Sequence, residues 1–320
     1  MEKYCKVICT YFGPRHIRNT NIGWPRHGQY FIDSSMCLDN LKFIVDVETN
    51  LDAGLPYDLI IVNNDSGFEE GKNWLNSINE KKTKCGKIYT LNKENKGKNY
   101  SAFRVAYETF RDKYDFFMFI PDDYVMLAKN YYKETVLQYR EDNENDNTAV
   151  IALAGTSDTR YWPVHSHDGM TLIHKKYIEE GIQKYGRIPS DDDELNYISS
   201  DDSNYIDVIP GHVDNGEIPF TNRYVQLGYK ITPFGYLHTC EETDYNRNWE
   251  PKPGDTIPAL PEYRASWPVQ LNNEIYLTPT YNLLHDVPNK VDVEYFKLDE
   301  DISFIVKSQI EKIRVQNEKS

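Results

Sequence analysis

The chain has 320 residues, 39% of them hydrophobic and 27% charged, which is enough for a packed core in one large domain and too apolar for intrinsic disorder. Its formal net charge is −14, and its longest basic run, Lys81-Lys82-Thr83-Lys84, reads as a solvated helix end, so nucleic acid is disfavoured as a partner. Five cysteines without a CxxC pair argue against a disulfide framework or a structural zinc site, and no stretch nears the roughly 18 apolar residues of a membrane span. The first residues enter a strand pattern with no apolar leader, so the expected location is the reducing cytoplasm.

In chain order, Tyr4 to Tyr11 reads as a buried strand. Asp33 caps a helix whose apolar residues Met36, Leu38, Leu41, Ile44 and Val45 recur at helical spacing. Asp58 to Val62 is a second strand, Glu69 to Asn79 a helix and Lys87 to Leu91 a third strand. Lys98 to Lys113 is a helix with Ala102, Phe103, Ala106 and Phe110 on one face, and Asp115 to Ile120 is a fourth, wholly apolar strand. Arg140 to Asn147 reads as a polar acidic loop, Ala149 to Ala154 as a strand and Ser190 to Ser203 as an acidic surface excursion. Phe220 to Leu227 is a helix, Tyr229 to Leu237 a strand, and Asp301 to Val315 a last amphipathic helix. Glu241 to Leu283, rich in Pro, Trp and Tyr, has the character of a segment that wraps a domain or covers a site.

Apolar strands alternating with amphipathic helices predict an α/β fold with a mixed, mostly parallel sheet flanked by helices. In such sheets ligands bind beyond the carboxyl ends of the strands. The polar turns Phe12-Gly13, Asn63 to Gly67, Asn92 to Gly97 and Pro121 to Asp123 all follow strands and share that edge.

The chemistry concentrates at Phe116-Phe-Met-Phe-Ile-Pro-Asp-Asp123, where two carboxylates follow a buried strand. Carboxylate oxygens at such a point suit Mg2+ or Mn2+, and a cation held there would neutralise a departing diphosphate. The plainer reading is a solvated turn whose Asp caps the next helix.

The segment Phe119-Ile-Pro-Asp-Asp-Tyr124 resembles the Asp-x-Asp region of GT-A fold glycosyltransferases, particularly the family-2-like group. Pro121 stands where that pattern has its first Asp. Asp123 matches the metal-binding Asp, and Asp122 takes the place between. Leu59-Ile-Ile-Val-Asn-Asn-Asp-Ser66 resembles the second-strand motif, with Asn63 at the base-binding position and Asp65 beside it. Tyr11, Asn95 and Gly97 fall at the nucleoside-facing turns. Asp168-Gly169-Met-Thr-Leu-Ile173 is similar to the segment near the acceptor and donor sugar. Asp214-Asn-Gly-Glu217, Arg223, Gly228 and Tyr229-Lys-Ile231 resemble the stretch that carries the general base. Asp214 and Glu217 are alternatives for that base, with Asp214 preferred because Glu217-Ile-Pro219 reads as a helix start. His238 follows the next strand, where the family often places a His near the metal.

The resemblance spans residues 1–240 and leaves 241–320 as a C-terminal extension. It implies a metal-dependent, inverting transfer of sugar from a nucleotide-diphosphate sugar, UDP by default, to an acceptor hydroxyl on a glycan or small molecule. Asp122, Asp123 and His238 would hold Mn2+ or Mg2+. Tyr11, Asn63, Asp65, Asn95, Gly97, Asp122, Asp168, Gly169 and Arg223 would line the donor site. Trp249, Tyr263 and Trp267 are candidates for the acceptor side.

Three rivals stand beside it. His165-Ser-His167-Asp168 is a possible zinc cluster of a hydrolase or phosphodiesterase, although His174, His212 and His238 are too scattered to complete it by spacing. A non-catalytic carbohydrate-binding protein on the same fold would account for Pro121 and Asn63. A transferase acting on DNA bases is opposed by the acidic balance. Asp191-Asp-Asp-Glu194 with Asp201-Asp202 lacks EF-hand spacing and reads as a solvated loop.

Overall fold

The computed structural model describes residues 2–18, 29–153, 165–166, 169–190, 216–234, 269–271, 274–279 and 300–317. The chain opens with β1 (Tyr4–Thr10), a hairpin of β2 (Arg15–Arg18) and β3 (Gln29–Ile32), and α1 (Ser34–Asn50). Next come β4 (Asp58–Asp65), α2 (Glu69–Ile78), β5 (Ile88–Glu94), α3 (Lys98–Phe110), β6 (Phe116–Pro121) and β7 (Tyr124–Met126). They are followed by α4 (Tyr131–Asp146), β8 (Thr148–Ala152), β9 (Thr171–His174), α5 (Lys175–Tyr185), α6 (Glu217–Gln226) and β10 (Lys230–Pro233). Last are β11 (Val269–Leu271), β12 (Glu274–Pro279) and α7 (Glu300–Asn317).

Seven strands form one sheet in the order β10-β8-β9-β6-β1-β4-β5. The pairs β1–β4, β1–β6, β4–β5 and β8–β10 are parallel, and only β9 runs against its neighbours. The fold is therefore the mixed, mostly parallel, Rossmann-like α/β sheet that the sequence predicts.

β1 and β6 are buried along their whole length, as central strands covered on both faces must be. α1 and α4 cover one face, where Lys6 meets Glu48 and Tyr131. α3 and α6 cover the other. There Phe119 packs 4.8 Å from Phe103 and 5.6 Å from Phe220, ring centre to ring centre. The predicted cap of α1 is in place, Asp33 Oδ1 accepting the Met36 N–H at 2.8 Å.

Residues 140–146, expected as an acidic loop, are the last turns of α4. The stripe Tyr132, Thr135, Val136 and Tyr139 is buried at helical spacing, and the acidic residues are the solvated side of the same helix. Asn147, at φ 58°, ends it in the left-handed conformation that Asn tolerates.

Among the described residues the interior contains one fully buried ionic network. Lys6, on β1, is paired with Glu48, on α1, and both are within 1% of complete burial. The Tyr57 hydroxyl donates to Glu48 Oε2. The Tyr131 hydroxyl lies 3.1 Å from Glu48 Oε2, 3.2 Å from the Tyr57 hydroxyl and 3.3 Å from Lys6 Nζ. Burial lowers the Lys6 pKa against the pull of Glu48, and burial followed by the Glu48 charge pushes Tyr57 and Tyr131 well up.

The described part of residues 241–320 returns to the sheet's site. β12 pairs antiparallel with β7, Thr278 opposite Val125 and Pro279 opposite Tyr124, and α7 packs on α1. No described helix is long and apolar enough to cross a membrane.

Candidate functional site

From β1 the chain winds to β4 and β5 on one side, while β6 joins β1 from the other. The carboxyl ends of β1 and β6 therefore flank a topological switch point, where a crevice opens beyond the sheet. Thr10, Tyr11, Asp122 and Asp123 stand at that point, with the ends of β4 and β5 beside them.

Asp122 is 3% exposed. Its Oδ2 accepts the Thr10 hydroxyl at 2.7 Å and the Tyr11 N–H at 3.2 Å, and its backbone carbonyl accepts the Asn40 amide. Asp123, next in the chain, is half-buried. A Cβ at Gly13 would fall 2.1 Å from Tyr11 Cζ, so the tyrosine lies across a stretch of backbone that only glycine leaves open.

At the end of β4, Asn63 Nδ2 donates to Asn92 Oδ1 at 3.0 Å across the β4–β5 pair. Asn63 is 1% exposed, and its Oδ1 has no hydrogen-bond partner. The same is true of Ser66 Oγ at the end of β4 and of Asn40 Oδ1 beside Asp122. Asn64 Nδ2 donates to the Lys98 carbonyl at 3.1 Å, and Lys93 Nζ donates to Asn64 Oδ1 at 2.8 Å, which ties the β4 and β5 turns together.

Other predicted residues sit as follows. Asp65 is turned to Lys72, 2.9 Å away, and to the Gly67 N–H at 2.8 Å; the Lys72 hydrogen bond holds its carboxyl below the usual range. Asn95 is exposed in the turn before α3, and Gly97 caps that helix at φ 69°. Gly169 has φ 69°, and a Cβ there would lie 2.7 Å from Tyr100 Cε1, so a side chain is refused on both counts. Arg223 is buried between α5 and α6. It donates to the Arg187 carbonyl at 2.7 Å, with its guanidinium 5.2 Å from the Tyr185 ring centre. Glu217 is the first residue of α6, in keeping with the expected helix start there. Asp168, Asp214 and His238 lie outside the described residues, as do Trp249, Tyr263 and Trp267.

Of the rival zinc cluster, His165 is buried beside Ser166, whose N–H donates to Thr221 Oγ1 at 2.9 Å; His167 and Asp168 are outside the described residues. His174 sits at the opposite edge of the sheet, capping α5 through its Nδ1, with its pKa lowered by burial. Among the described residues no three His, Cys, Asp or Glu side chains converge on a common point.

Thr10 and Asn40 escaped the sequence reading, and Ser66 and Asn92 entered it only as the ends of larger segments, with no role of their own. Asn40 carried a usable signal, since it interrupts the apolar stripe of α1 between Cys37, Leu41 and Ile44. A polar residue on a buried helix face needs a partner, and here the partner is the 122–123 turn.

No protein-family model matches the chain, and no curated protein matches it. Solved structures do. A cytidylyltransferase from Leptospira borgpetersenii serovar Hardjo-bovis aligns over 73% of this chain and 76% of its own, at 9% identity and a TM-score of 0.40. The 4-diphosphocytidyl-2C-methyl-D-erythritolsynthase of Anaerococcus prevotii aligns over 73% of this chain and 86% of its own, at 10% identity and a TM-score of 0.39. At these values they are distant likenesses of shape.

Proposed function

We propose that the protein is a divalent-cation-dependent glycosyltransferase that binds a sugar nucleotide along the carboxyl-end edge of its sheet and passes the sugar to an acceptor hydroxyl. One observation carries this reading. Buried oxygens without partners lie at the carboxyl-end edge of the sheet: Asn63 Oδ1 and Ser66 Oγ at the end of β4, and Asn40 Oδ1 on α1, whose amide donates to the Asp122 carbonyl. A buried polar atom without a partner costs about 1–3 kcal/mol, and a cluster of them at a crevice is the mark of a surface completed by a ligand.

A hard cation fits this donor set. Mg2+ is commonly held by one or two carboxylates, with substrate phosphates and water completing the shell, so the lack of a converged cage among the described residues is no obstacle. Asp123 would hold it, with His238 as the further candidate. When bound, such a cation supplies charge neutralisation for the leaving nucleoside diphosphate.

The chain's own residues do the rest. Asn63 and Asn92 offer an acceptor and a donor side by side, the pattern that reads the edge of a nucleobase, and UDP is the default nucleotide. Tyr11, with Asn95 and Gly97 across the edge, lines the nucleoside side. Asp168 and Gly169 would meet the donor sugar. In the inverting reaction the acceptor oxygen bonds to the anomeric carbon as the bond to the diphosphate breaks, and its proton passes to Asp214 or Glu217. The segment 241–320 contributes to the acceptor side as an extension of the 1–240 unit.

The test is a panel of sugar nucleotides incubated with Mn2+, with release of nucleoside diphosphate as the readout. Release that is lost in Asp123→Asn and in excess EDTA is expected. Absence of release across the panel, or release indifferent to both, would remove the proposal.

A further inference from the structure

The two carboxylates of the acidic turn are built into the molecule in different ways. β6 ends at Pro121, opposite Cys9 of β1, and proline has no N–H to add to the ladder. Beyond that pair the two strands are joined by a side chain instead. Asp122 Oδ2 takes both the Thr10 hydroxyl and the Tyr11 N–H, while Asn40 of α1 holds the Asp122 carbonyl from the other side. Asp122 is thus gripped from β1 and from α1 and is nearly closed to solvent. Asp123 follows it directly before β7, half-buried and with its Oδ1 closed to solvent, and β7 is itself fixed by pairing with β12.

We infer that Asp122 is a latch and not a cation ligand, and that Thr10 and Asn40 are positioning residues that set the turn presenting Asp123 to the crevice. This rests on the reading of that edge as a cation-dependent nucleotide site. Turning the Asp122 carboxylate outward would strip the Thr10 hydroxyl and the Tyr11 N–H of a shared acceptor in a buried place, which costs more than the bonds gain on average. The latch needs an acceptor oxygen of this shape, and the amide of asparagine has one. A ligand to a hard cation needs the charge. Neutral isosteric substitution therefore separates the two roles.

The experiment measures Mn2+ binding in the presence of UDP by electron paramagnetic resonance, with the melting midpoint of each variant recorded alongside. Asp122→Asn is expected to bind Mn2+ as the parent does, and Asp123→Asn to bind none. Thr10→Val is expected to lose affinity, by up to about the 10- to 100-fold of removing a metal ligand's own hydrogen-bond partner, because the turn that carries Asp123 loses its anchor, and Thr10→Ser to restore it. Loss in Asp122→Asn as complete as in Asp123→Asn would overturn the latch. A double-mutant cycle of Thr10→Val and Asp122→Ala on the melting midpoint probes the latch with no ligand present. The double variant is expected to melt scarcely below the worse single one, and strictly additive losses would overturn the latch. Coupled midpoints in a parent that binds no Mn2+ would support the latch as a structural clasp and sink the cation-site reading alone.

Discussion

The two ends of the sheet bury polar groups in opposite ways. Toward the amino ends of the strands, Lys6, Glu48, Tyr57 and Tyr131 form a closed network in which the ammonium, both carboxylate oxygens and both hydroxyls are engaged. At the carboxyl ends, Asn63, Ser66 and Asn40 each keep a buried oxygen without a partner. A network that serves folding is satisfied by the chain itself, because each buried group left over subtracts from stability. A surface that serves binding keeps some groups for the ligand. Tyr107 on α3, packed against Phe117 near the start of β6, also has a buried hydroxyl without a partner, on the opposite face of the sheet from that network, and nothing in the structure explains it.

The sharpest way to break this comparison is at the closed end. Lys6→Met leaves the Glu48 carboxylate buried without its counter-charge and is expected to cost about 3–5 kcal/mol in denaturant unfolding. The rise in melting midpoint produced by UDP with Mn2+ should stay unchanged in that variant. A lost nucleotide response would mean that the two ends are not separate.

At the open end the expected balance is reversed. Asn63→Leu loses the bond to Asn92 but also removes the orphaned oxygen, so folding stability should move by less than about 1 kcal/mol. UDP affinity, measured by calorimetry, should fall about 10-fold, the worth of one hydrogen bond of about 1.4 kcal/mol. A large loss of stability with unchanged affinity would make Asn63 a packing residue.

The smallest effect concerns Asp58, at the start of β4. Burial alone would raise its pKa. The Tyr114 hydroxyl at 2.6 Å, Lys113 Nζ at 3.0 Å and the Lys87 N–H at 2.9 Å outweigh it and hold the carboxyl below its ordinary value of about 3.9. A depressed folded pKa gives stability that is present above the unfolded value and lost as pH falls through the folded one. Asp58→Asn should therefore lower stability near neutrality, where the carboxylate's contribution is fully present, and flatten the profile below about pH 4.

Much of the scaffold was legible because the strands β1, β4, β5 and β6 and the helices α1 to α3 carry strong local periodicity. β9 did not stand out, since four residues wedged antiparallel between β6 and β8 show no period of their own. The second half of α4 was misread because no residue of the helix beyond Tyr139 is buried, so it runs on with no apolar stripe to mark it. The position of the candidate edge followed from the strand ends. Its wiring did not: Thr10 with Asp122 and Asn40 with Asp122 are bonds across 112 and 82 residues of sequence. The motif places Asp65 among the nucleotide contacts, and its pairing with Lys72 of the next helix is visible only in the fold.

The central claim is that the carboxyl-end edge completes itself with a cation-bound nucleoside diphosphate. The most direct measurement is the melting midpoint of the parent protein with UDP and Mn2+, against UDP with EDTA and against the same pair on Asp123→Asn. A ligand that binds only the folded state adds about 2.7 kcal/mol at a hundred times its dissociation constant, so a clear upward shift is predicted for the first sample alone. An unshifted midpoint, or an equal shift in all three samples, would contradict the account.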